Sequence, residues 1–152
     1  SYTTLDEKTL YLIPSLENPQ LFSLDLTQSW DAVEAPLELL PSAPLDEPYL
    51  YLSALAVNYD KNSLLYFNSH RTPSVYNITT KTWLLGTRLT DPSSTELPKA
   101  IYGNQVATDP STGIAYIPSV EHLDNFPMYS YNTRQNHVTN PTKTIVPGVA
   151  KP

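Results

Sequence analysis

Cysteine is absent from the 152 residues, which excludes disulfide staples, thiolate metal sites and cysteine nucleophiles. That absence suits either side of a membrane. Glycine is nearly as scarce, with four, and no glycine-rich phosphate loop, GxSxG or HExxH pattern occurs. No apolar run approaches the roughly 18 residues of a membrane-spanning helix, and no secretory leader precedes Ser1, which reads as a processed or trimmed start. Positive charge is also short: nine Lys and Arg stand against fifteen Asp and Glu, a net charge of −6. The acids are scattered, and the one basic cluster, "HRTPS" at 70–74, is too short for a nucleic-acid stripe or an anionic-membrane patch. Nucleic acid and membrane insertion are therefore set aside as partners.

What is abundant points to strands. Fifteen prolines are about twice the average usage of roughly 5%, and proline breaks helix interiors. Eleven tyrosines against three phenylalanines, with many serines and threonines, suit half-buried strand faces. The composition predicts an all-β chain.

Internal repetition gives that chain an architecture. "TLYLIPSLENPQLFSLDLTQSW" (9–30) places a strand, a polar gap, a second strand and a tryptophan in that order. "YDKNSLLYFNSHRTPSVYNITTKTW" (59–83) and "TDPSTGIAYIPSVEHLDNFPMYSYNTRQNHV" (108–138) repeat it. Asp6, Asp60 and Asp109 open the turns, and Tyr11, Tyr66 and Tyr116 fall mid-strand at spacings of 55 and 50 residues. Leu24-Asp25, Tyr76-Asn77 and Tyr131-Asn132 follow, and the units close at Trp30, Trp83 and Val138. The middle copy reads as strands over 53–59, 63–68, 74–78 and 82–87, with Leu55, Val57 and Tyr59 on one face and Ala54, Ala56 and Asn58 on the other. "DPSTG" (109–113) reads as a hairpin loop with its glycine in the left-handed position. In the first copy a fourth strand is hard to find, and 31–48 reads mostly as loop with one helical turn. Four short antiparallel strands recurring every fifty-odd residues describe a β-propeller blade. The expected repeats are 1–48, 49–101 and 102–146, with a tail over 147–152.

"LFSLDLTQSW" and "SVYNITTKTW" resemble the kelch strand, in which an aromatic or leucine precedes Asp or Asn and a tryptophan follows five or six residues later. Over roughly residues 1–140 the chain resembles the divergent kelch-like β-propellers of fungi. It departs at the family's glycine pair, which reads Pro14-Ser15, Asn68-Ser69 and Pro118-Ser119 here. The resemblance implies an all-β fold of three four-stranded antiparallel blades in an incomplete ring. It brings no catalytic residue and no cofactor. The copper-radical oxidases on this scaffold depend on a tyrosine–cysteine crosslink, which a cysteine-free chain cannot form.

Propellers close with about four to eight blades, so three leave apolar faces and strand edges that another polypeptide must cover. The expected partners are the remaining blades of a longer propeller or, by self-association, a second chain that completes six. The start at Ser1 and the abrupt tail "PTKTIVPGVAKP" favour a segment of a longer propeller. In such blades the 1–2 and 3–4 turns share one end, and here they are short: "DEKT", "DKNS", "TQS" and "TTK". The other end carries "LENPQ", "SHRTP", "VEHLDNF" and the segments 31–52 and 88–104. Function gathers on long loops held by a rigid scaffold, so His70, Arg71, Glu121, His122 and Asp124 are the expected binding residues.

The remaining chemistry has a plain reading beside each sharper one. Glu121, His122 and Asp124 could ligate a metal or act as an acid–base pair, but one imidazole with carboxylates on a solvated loop falls short of a convergent ligand set. His70 and His137 lie in other copies. Trp30 and Trp83 could stack on sugars, yet their matched place in the repeat argues for packing between blades. Asn77 heads the one glycosylation sequon, Asn77-Ile78-Thr79. The expected function is a non-enzymatic, extracellular scaffold for protein interaction or assembly, with a protein or glycan ligand. The alternatives are one wall of a carbohydrate-active or other extracellular enzyme, and a subunit of a head-to-tail polymer.

Overall fold

The computed structural model describes residues 2–14, 18–28, 37–44, 54–67, 73–84, 97, 106–118 and 127–143. Among these the chain forms twelve strands and no helix. The first four are β1 (Tyr2–Leu5), β2 (Thr9–Leu12), β3 (Phe22–Asp25) and β4 (Glu38–Leu39). The next four are β5 (Ala54–Val57), β6 (Ser63–Phe67), β7 (Ser74–Asn77) and β8 (Thr82–Leu84). The last are β9 (Ala107–Asp109), β10 (Ile114–Pro118), β11 (Pro127–Asn132) and β12 (His137–Lys143). They make three four-stranded antiparallel sheets, each a meander with its strands in chain order.

The turns explain why the strands end where they do. Asp25, Asn77 and Asn132 each close the third strand of their sheet, opposite Thr9, Ser63 and Ile114. Each side-chain oxygen then accepts a backbone N–H from the following turn: Thr27 at 2.8 Å, Thr80 at 2.9 Å, and Arg134 at 3.0 Å. Such Asx turns give the chain a hydrogen-bonded alternative to continuing the strand. This is the physical content of the repeated Asp or Asn. Earlier in each sheet, Asp60 caps Asn62 and Ser63, while Asp109 caps Ser111. Gly113 sits at φ 74°, as its place in the hairpin loop predicts.

Alternation along the strands sorts residues onto two faces per sheet, and the packing uses these faces in a repeating way. Tyr11 and Ile13, on one face of the first sheet, pack against Leu55, Leu64, Tyr66 and Tyr76 of the second. The opposite face of the second sheet carries Ala54, Ala56, Leu65 and Phe67, and it packs against Ala115, Ile117, Tyr131 and Val138 of the third. The pairings Leu10↔Leu24, Leu64↔Tyr76 and Ala115↔Tyr131 set the equivalence between sheets. By that register Tyr11 matches Leu65, and Leu64 matches Ala115. The same face of each sheet therefore meets the opposite face of the next, twice over. The middle sheet is buried on both sides, so all five residues of β6 are buried.

The sheets meet along their first strands. Strand β1 lies against β5, and β5 against β9, where the Thr108 hydroxyl donates to the Val57 carbonyl. Further out, the Trp83 indole N–H donates to the Pro41 carbonyl at 2.8 Å, and its ring packs on Tyr66 and Tyr76 at centroid distances of 6.1 and 5.1 Å. Trp83 thus belongs to the contact between the first and second sheets, as its place in the repeat suggests. Phe67 and Tyr131 meet edge-on between the second and third sheets, 6.1 Å apart.

Three expectations need correction. The first sheet does have a fourth strand, Glu38–Leu39, paired with Phe22 and Ser23. Two residues give too little alternation to register in the sequence, and the stretch expected to be loop with a helical turn has no helix among its described residues. Consequently the β3–β4 connection runs from 26 to 37 and leaves from the same end as the β1–β2 turn. That end is not uniformly short. Lastly, Tyr11, Tyr66 and Tyr116 all lie in the second strand of their sheets, but Tyr66 is one register position out. Its equivalents are Leu12 and Ile117. The interval from the turn aspartate to the tyrosine grows from 5 to 6 to 7 residues along the chain, and a one-residue shift moves a side chain to the other face.

Candidate functional site

His70, Arg71, Glu121, His122 and Asp124, expected on the long-loop end, lie outside the described residues, as does Trp30. Asn77 is described. It is half-buried at the end of β7, and its side-chain oxygen holds the Asx turn through Thr80. Thr79, the sequon hydroxyl, donates to Asn62 Oδ1 at 2.7 Å.

At the opposite end a polar cleft of about 460 Å³ opens on the first sheet. Its lining residues Thr9, Tyr11, Ser23, Asp25, Gln28 and Glu38 come from β2, β3, β4 and the turn after β3. Register places Thr9 opposite Asp25 and Tyr11 opposite Ser23, with Glu38 beyond Ser23, so they share the face turned toward the second sheet. One signal for this site was legible in the sequence, the Asp25 position of the repeat. Glu38 was concealed by the short β4.

The electrostatics of the cleft are those of an exposed rim over a buried floor. The Thr27 hydroxyl and backbone N–H hold the Asp25 carboxyl below its usual range. Lys81, from the β7–β8 turn, reaches Glu38 at 2.6 Å and lowers its carboxyl likewise. Both partners are more than half exposed, so this pair orients the rim more than it stabilises the fold. Burial raises the Tyr11 phenol, with Glu38 adding to the effect. Across the sheet contact Tyr76 is 1% exposed, its hydroxyl has no hydrogen-bond partner among the described residues, and burial pushes its pKa up to about 12. The cleft offers carboxylate and hydroxyl acceptors with an amide donor. Among the described residues no histidine lines it, and no group of three or more His, Asp or Glu that could hold a metal ion occurs.

The outer faces of the terminal sheets form a second candidate surface. The first sheet turns Leu10, Leu12, Phe22 and Leu39 away from the second. None of these belongs to either core cluster; Leu39 is 67% exposed, whereas Leu24, on the same face, is 6% exposed. The third sheet likewise turns Ile114, Tyr116, Met128 and Ser130 outward, with Tyr116 43% exposed. Isolated exposed apolar residues are ordinary; Leu39 and Tyr116 instead stand beside the half-buried Leu10, Leu12, Phe22, Ile114 and Met128, which makes the two faces candidate interaction surfaces.

No protein-family model matches the chain, and comparison with curated proteins gives no significant sequence match.

Proposed function

We propose that the chain is a three-bladed, kelch-like segment of a β-propeller that acts as an extracellular scaffold for protein interaction or assembly. One observation carries this reading: the same face relation joins the first sheet to the second and the second to the third. Sheets related in this way, meeting along their first strands, behave as blades round an axis. The relation has no internal stop, so its two ends present apolar faces that call for further polypeptide. Ligand recognition belongs to the long-loop end with His70, Arg71, Glu121, His122 and Asp124, on the general ground that loops on a rigid scaffold carry binding.

The test is whether the chain ever exists as a closed, self-sufficient unit. Its monomer is expected to raise the fluorescence of an apolar dye such as ANS several-fold, and an assembled form is expected to suppress that signal. A monodisperse 17.0 kDa monomer that leaves the dye at baseline overturns the reading.

A further inference from the structure

The outward face of the third sheet is built like a face that is already buried elsewhere in this molecule. Residues of the third sheet can be matched to the first through the pairings of the second and third strands. Tyr116↔Ser130 then stands where Tyr11↔Ser23 stands. Pro118↔Met128 follows in the same direction as Ile13 and Leu21, both of which are fully buried in the contact with the second sheet. Asn132 occupies the place of Asp25. The third sheet therefore repeats, on its outer side, the tyrosine, serine and apolar pattern with which the first sheet grips its neighbour.

The outward face of the first sheet is the other half of the same contact. Leu10, Leu12 and Leu24 match Leu64, Tyr66 and Tyr76 of the second sheet, which receive Tyr11 and Ile13. They also match Ala115, Ile117 and Tyr131 of the third, which receive Leu65 and Phe67. At both places where this class of face meets a neighbour, the neighbour presents the class that the third sheet leaves outward. The two terminal faces are complementary to each other, and neither is complementary to itself. Contacts of this type join unlike surfaces and close into a ring when the rotation allows.

Building on the propeller-segment reading, we propose that the occupant is a second copy of this chain. The first sheet of each copy seats the third sheet of the other, giving a two-chain ring of six sheets. Six lies within the range of about four to eight over which such rings close.

Light scattering across a concentration series tests the proposal, with Leu39→Asp altering the first-sheet face and Tyr116→Asp the third-sheet face. Both positions are substantially exposed. Leu12→Asp and Ala107→Asp, the latter paired with Tyr116 on the same face, serve as a second pair should circular dichroism show either first variant unfolded. The wild-type chain is expected at twice 17.0 kDa, with a dissociation constant at least tenfold weaker in each single variant. An equimolar mixture of the two variants is expected to regain a two-chain species, because one of its two contacts is then unaltered. Association that depends on only one face, or that mixing fails to restore, overturns the proposal. Filaments in place of a two-chain species overturn the closed ring. A dye-binding monomer at 100 μM or so, at which about 1 μM affinities saturate, overturns the second copy while leaving the propeller-segment reading intact. A dye-silent monomer removes both.

Discussion

Gly113 and Lys61 both sit in left-handed backbone, at φ 74° and 54°, with opposite consequences for design. A Cβ on Gly113 would come within 3.1 Å of Arg134 Nε and hold an L-residue in the disfavoured region. Gly113→Ala is therefore expected to lose about 1–2 kcal/mol of unfolding free energy. Lys61 is exposed on its turn, and Lys61→Gly removes the same strain at some entropic cost, for a gain of about 0.5 kcal/mol. Urea unfolding of the two variants measures both, and equal stability of Gly113→Ala and wild type would refute the handedness argument. The glycine was legible because "DPSTG" leaves only one residue suited to that position. The lysine was not, since nothing local marks a non-glycine residue for left-handed backbone.

Among elements, the Asx-capped third strand explains most of the repetition seen in the sequence. Asp25 and Asn132 perform at their positions what Asn77 performs at its own. Asn77→Asp is thus expected to keep the turn and shift the thermal midpoint by less than about 2 °C. Asn77→Ala is expected to lose about 1 kcal/mol with the hydrogen bond. Both remove the sequon, so mass analysis of wild type from a secretory host, before and after glycosidase, reports glycan addition separately from folding. A large destabilisation by Asn77→Asp would show that the amide does something its two equivalents do not. Strand β4 marks the limit of reading at this scale. It is fixed by pairing with β3 and by contacts such as the Leu40 N–H to Leu21 carbonyl bond of 2.9 Å, which arise only once the sheet exists.

For the whole molecule, burial of tyrosine between sheets couples stability to alkaline pH. Burial pushes Tyr76 and Tyr131 up to about 12, against about 10 in an unfolded chain. Between those values the unfolded state gives up its phenolic protons while the folded state keeps them, so stability is complete below pH 10 and declines as pH rises toward 12. The slope expected is up to about 1.4 kcal/mol per pH unit for each tyrosine. Urea midpoints at pH 9 and pH 11 should differ accordingly, with a smaller difference in Tyr131→Phe. A pH-independent midpoint would show that these phenols are hydrated. Local patterns specified the strands other than β4, the repeat that groups them and the turn chemistry, because alternation, Asx turns and proline act over a few neighbouring residues. Which face of each strand lies inward was decided by the tertiary structure. A middle sheet covered on both sides accepts a tyrosine on either face, as Tyr66 shows by lying one position away from Tyr11 and Tyr116. Beyond the Asp25 position of the repeat, the cleft at Asp25 and Glu38 and the complementary outer faces follow from that stacking and have no counterpart in any local pattern.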